Sequence, residues 1–248
     1  MENQSKYNSL IYLSLFGVVT TIILNIPNGF YILYPFMILG TWFHEFSHGM
    51  TALLLGGNFH QLVIFPDGSG YAQFSYSSLL FGNIGNALVA AAGPLGPTIA
   101  GNLLMLSSTN QRATKIMFYV LGLTMLISSI VWVRPIISFG FAFTIIFALI
   151  FLFIAIKSNE KVQRLTLQFV AVQAFMSLYL SIGYLFSTGA VVGGEHNMSD
   201  TQVIADNLFL PNWLWAILII AVSIYSIIKS ILITIKKEKF TSTPNRIQ

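Results

Sequence analysis

His44-Glu45-Phe46-Ser47-His48 sets two imidazoles four residues apart, with a carboxylate beside the first. On a helix, positions i and i+4 lie on one face, one turn apart. Two neutral imidazoles on one face can hold a Zn²⁺ ion, and the glutamate between them can take a proton from a metal-bound water. This is the H-E-x-x-H pattern of zinc metalloproteases. With 4 His and 5 Glu among 248 residues, about 0.001 accidental matches to that pattern are expected. The competing explanation is a pair of core histidines satisfied by neighbouring backbone. It leaves a glutamate in an apolar segment to account for, and ionisable groups inside a membrane segment point to function first.

The rest of the chain must hold that constellation in an apolar setting. It is 55% hydrophobic and only 8% charged, against about 25% charged in an average globular chain. A soluble domain of this size cannot bury so much apolar surface. The expected class is therefore an all-α polytopic, multi-pass membrane protein with the lipid bilayer as its solvent. The net charge is +4, with lysines at segment ends, which suits lipid headgroups; nucleic-acid binding would need a basic face, and no such partner is expected. Cysteine is absent. There is no disulfide framework and no thiolate, so a metal must be held by His and carboxylate.

Apolar segments fall at about 10–26, 35–55, 84–106, 116–133, 136–156, 165–186 and 213–228, the last reaching on to 235. These predict six or seven transmembrane helices. The first has only Lys6 before it and no small-residue cleavage site after it, so it reads as a retained helix rather than a signal peptide. The second begins near Pro35 and stops at Gly56-Gly57, with His44 and His48 near its middle. Residues 61–75 follow as a β-hairpin around Pro66-Asp67-Gly68-Ser69-Gly70. An open hairpin cannot face lipid, so it belongs at the interface or against protein. Its edge could pair with an extended peptide or serve structure alone.

Ala90-Ala91-Ala92-Gly93-Pro94-Leu95-Gly96-Pro97 allows close helix approach, and its two prolines are expected to break the helix. Irregular backbone at that depth is tolerated in a protein interior or beside a cavity, which brings this piece near the metal site unless it is a mere packing kink. Residues 187–211 form a polar loop. No repeat or linker interrupts the chain, which reads as one integral membrane domain, 1–248. Placing the basic tail Lys236-Lys237-Glu238-Lys239 inside puts the loops 107–115 and 157–164 inside as well, and the hairpin and the 187–211 loop together on the outer side.

Catalytic zinc usually takes three protein ligands and an open position. The third can be sought in Asp67, Glu195, His196, Asp200 or Asp206. Asp67 sits in a turn, where Asp has a structural use. Asp200 opens a run to Ala205 that can form a short helix capped by Ser199 or by Asp200 itself. Asp206 would face away from Asp200 on that helix, so one of the two at most points at a metal.

Together these pieces resemble the site-2 protease superfamily of intramembrane zinc metalloproteases, and within it the small bacterial membrane branch. The resemblance rests on His44-Glu45-Phe46-Ser47-His48-Gly49, Gly56-Gly57, Phe65-Pro66-Asp67-Gly68-Ser69-Gly70, Ala92-Gly93-Pro94-Leu95-Gly96-Pro97 and the late Ser199-Asp200. It implies one zinc on His44 and His48, Glu45 as general base, and a late aspartate as third ligand, which favours Asp200. It implies hydrolysis of peptide bonds in or next to transmembrane segments of a membrane protein or peptide substrate, in a bacterial cytoplasmic membrane. A polar side chain such as Asn102 could stabilise the oxyanion. An inactive scaffold that keeps the metal, or a metal transporter or sensor, are the alternatives. A transporter needs ionisable residues along its path, and segments three to six carry none.

Overall fold

The computed structural model describes residues 2–75 and 80–241, with side chains for 12–75 and 80–237. Glu238 and Lys239, used above to orient the chain, and Lys6, used to read the first segment, have side chains outside that set. The described elements run α1 (Glu2–Asn25), α2 (Gly29–Leu54), β1 (Asn58–Ile64), β2 (Gly70–Ser75), α3 (Asn83–Ser107), α4 (Gln111–Val131), α5 (Phe139–Lys157), α6 (Glu160–Phe186), β3 (Gly189–Val192), β4 (Glu195–Met198), α7 (Asp200–Asn207) and α8 (Asn212–Thr241). The fold is all-α and polytopic, with small two-stranded sheets appended.

Among the described residues, α3, α4, α5, α6 and α8 are each long and apolar enough to cross a membrane. α1 and α2 turn through 119° at a short break, and they bring the number of spans to six if the pair forms one. The two separate leading spans expected from the sequence are therefore a bent pair. α2 also begins at Gly29, upstream of Pro35, which lies inside the helix. α3 runs unbroken through Pro94 and Pro97, contrary to the expected break. Each proline lacks an N–H for the carbonyl four residues back, but membrane helices tolerate this when neighbouring helices surround the site. α3 is so surrounded: it packs on α2, α4, α6, α7 and α8. Its most apolar stretch is 56% buried, against 22% for that of α8, most of whose surface no other element covers.

The predicted hairpin at 61–75 is present, with β1 starting slightly earlier and Leu62 opposite Ala72. The far edge of β1 is closed. The Leu62 N–H donates to the Trp132 carbonyl at 2.8 Å, and the Arg134 N–H donates to the Leu62 carbonyl at 3.0 Å. Thr41 Oγ donates to the Gly68 carbonyl at 2.6 Å, and Tyr34 donates to the Pro66 carbonyl, so α2 pins the hairpin turn.

The 187–211 region is more ordered than a polar loop. β3 and β4 pair around Gly193-Gly194, whose φ of 60° and 88° suit glycine. α7 follows, capped by Ser199, which accepts the Gln202 N–H at 3.3 Å. A Cβ at Gly193 would lie 2.6 Å from the Phe65 ring. The tips of the two hairpins therefore touch, and both regions lie at one end of the molecule.

Candidate metal centre

α2 projects His44 and His48 from one face, as the four-residue spacing demands. Asp200, first residue of α7, meets them. His44 Nε2 is 3.0 Å from Asp200 Oδ2, His48 Nε2 is 3.2 Å from Asp200 Oδ1, and the two Nε2 atoms are 3.1 Å apart. His48 and Asp200 are buried.

These atoms converge as lone pairs. His48 Nδ1–H donates to the Val89 carbonyl on α3 at 2.7 Å, so in the neutral ring Nε2 carries no proton. Asp200 Oδ2 is buried without a hydrogen-bond donor, which is costly unless a cation sits there. Ligand atoms about 2.0–2.1 Å from a tetrahedral zinc lie about 3.3 Å from one another, close to the spacing found. The trio therefore fits a small divalent cation, and the Val89 contact is of the kind that orients an imidazole toward a metal.

Three elements hold the geometry. α3 approaches α2 over glycine: a Cβ at Gly93 would lie 2.1 Å from His48 Nε2 and 2.7 Å from His44 Nε2. One turn on, a Cβ at Gly96 would lie 2.2 Å from Ser47 Oγ. The small-residue stretch thus lies against His44 and His48. From β2, Phe74 stacks against His48 with ring centroids 6.2 Å apart. α7 is fastened to the end of α6: Ser199 Oγ donates to the Ser187 carbonyl at 2.6 Å, Thr201 Oγ1 to the Leu185 carbonyl at 2.6 Å, and the Asp200 N–H to the Tyr184 hydroxyl at 3.2 Å.

Glu45 is buried beside His44, and its carboxylate receives the Ala72 N–H of β2. Gly70 leaves room for it, since a Cβ there would meet Glu45 Cγ at 3.2 Å and the Val63 carbonyl at 2.8 Å. His44, Glu45 and Tyr184 line a cavity of about 320 Å³, bordered by the 67–70 turn and by β3. Its walls carry Leu24, Leu33, Phe36, Met37, Met176 and Leu180.

The other sequence candidates stand apart from this cluster. Asp67 Oδ1 accepts the Ser69 hydroxyl and N–H, and both hold its carboxyl below the usual range. Glu195 and His196 are exposed on β4. Asp206 is exposed and accepts from Gln202 at 2.7 Å. Asn102 donates to Ser226 on α8 at 3.0 Å. Tyr184 had no sequence signal, since α6 carries Tyr179 as well and no spacing marks either one.

Among the described residues, His44, His48 and Asp200 are the group of His, Cys, Asp or Glu side chains placed to share a metal ion. A family model described as Peptidase M50B-like matches residues 14–230. Comparison with curated proteins and with solved structures gives no match.

Proposed function

The chain belongs to the peptidase M50B-like family, the site-2-protease family of membrane metallopeptidases, and from that premise we propose that it is an intramembrane zinc endopeptidase. Its zinc is held by His44, His48 and Asp200. The observation that carries this reading is the convergence of three ligand atoms, two of them from buried side chains and one on a helix remote in sequence, at 3.0–3.2 Å.

When bound, zinc acidifies its water and polarises a peptide carbonyl. Glu45 then serves as general base: it takes the proton of the attacking water and passes it to the leaving amine. The Ala72 N–H holds the Glu45 carboxylate in place. The apolar cavity walls receive an extended stretch of a transmembrane or membrane-adjacent segment. The 67–70 turn and β3 keep that stretch against His44 and Glu45. Extended chain is required, since a helix satisfies its own carbonyls and shields them from attack.

The test begins with elemental analysis of the purified protein beside Asp200→Ala and Asp206→Ala. The expected result is about one zinc per chain in wild type and in Asp206→Ala, and its loss from Asp200→Ala. Retention by both variants would move the third ligand elsewhere. A wild-type protein without metal would overturn the metallopeptidase reading.

A further inference from the structure

We propose that Tyr184 is a positioning residue for Asp200, the outer partner that sets how tightly His44, His48 and Asp200 hold their metal. The inference rests on the ligand set just proposed.

Tyr184 lies in the last turn of α6, and Asp200 opens α7 after the β3–β4 excursion. The first N–H groups of a helix have no partner inside it. Ser199 takes the Gln202 N–H. The Asp200 N–H is left over, and the Tyr184 hydroxyl accepts it at 3.2 Å. Asp200 is 7% exposed, so without Tyr184 that N–H would be stranded away from water, a costly state. A phenol that accepts an N–H still has its proton to give, and the Asp200 side chain lies beside it. One hydroxyl thus grips the third ligand by its backbone and faces its carboxylate.

The ring does a second job. It meets the His44 imidazole edge-on, centroids 6.3 Å apart at 70°. Tyr184 therefore touches two of the three ligands, on the side where the trio borders the cavity. Outer partners of this kind orient a ligand, and their loss typically costs about 10–100-fold in metal affinity. A ring that only filled the cavity wall would be replaced by phenylalanine without effect.

The experiment is zinc affinity by chelator competition on the purified full chain, with the visible spectrum of the cobalt-loaded protein as a second readout. Tyr184→Phe keeps the ring and removes the hydroxyl. It is expected to bind zinc about 10–100-fold more weakly and to shift the cobalt bands. The exposed Tyr179→Phe on the same helix is expected to match wild type. Tyr184→Gln restores an acceptor and a donor without the ring, and should bind more tightly than Tyr184→Leu. That pair decides the matter if Tyr184→Phe does not fold. Unchanged affinity and spectrum in Tyr184→Phe, or Gln no tighter than Leu, overturns the positioning role and leaves the metal centre standing. A wild type that binds neither metal overturns both.

Discussion

Gly93 is the residue that lets α3 lie against His44 and His48. A methyl there would need space that His48 Nε2 occupies at 2.1 Å. Gly93→Ala is expected to push the imidazoles apart, to cost about 1–3 kcal/mol of stability as overpacking does, and to strip the metal. Thermal midpoint and zinc content check it. Glu45→Gln should separate binding from chemistry: zinc retained, cleavage of a reconstituted transmembrane substrate slowed by about 10²–10⁴-fold. His196→Ala and Asp206→Asn alter exposed side chains and should change stability by no more than about 0.5 kcal/mol, with zinc content unchanged. At this scale the spacing of His44, Glu45 and His48 was legible because a helix turns that spacing into proximity. Asp200 was not separable from Asp67, Glu195, His196 and Asp206 by residue type, since its partners come from chain segments far away. Family resemblance favoured it, and the structure places it beside the histidines.

α7 is the element on which the site depends most, and it has eight residues. So short a helix is marginal alone, and it is held by its cap and by α6. Ser199 Oγ accepts the Gln202 N–H and donates to the Ser187 carbonyl. Ser199→Ala removes both contacts and is expected to cost about 0.5–2 kcal/mol, the range for a lost cap. Because Asp200 follows at once, zinc content should fall with the thermal midpoint, while Asn159→Ala, which uncaps α6 at the far end, should lower stability and spare the zinc. The helix was readable from Ser199-Asp200. The β3–β4 hairpin was not, because Glu195–Met198 is exposed throughout and shows no alternation. The continuity of α3 was misjudged for a different reason. Local proline rules speak of an isolated helix, and α3 is enclosed on several sides.

At the scale of the whole molecule, the proposed metal ties α2 to α7, which the chain joins only through α3–α6. Zinc that binds the folded form alone should stabilise it by about 2.7 kcal/mol at a hundredfold excess over Kd. A chelator should reverse the gain, and His44→Ala should show none; thermal unfolding in detergent with and without zinc measures it. Apolar composition disclosed the membrane class at this scale, but it could not disclose the 119° turn between α1 and α2, which depends on packing rather than hydropathy. The distance along the chain also has a consequence in time. Asp200 is made 152 residues after His48, a delay of roughly 8–30 s at about 5–20 residues per second of synthesis. For that interval, on the proposed ligand set, the nascent chain carries Glu45 and two of the three ligands but no finished centre. On the proposed function, hydrolysis waits until most of the chain has been translated and the bundle has closed.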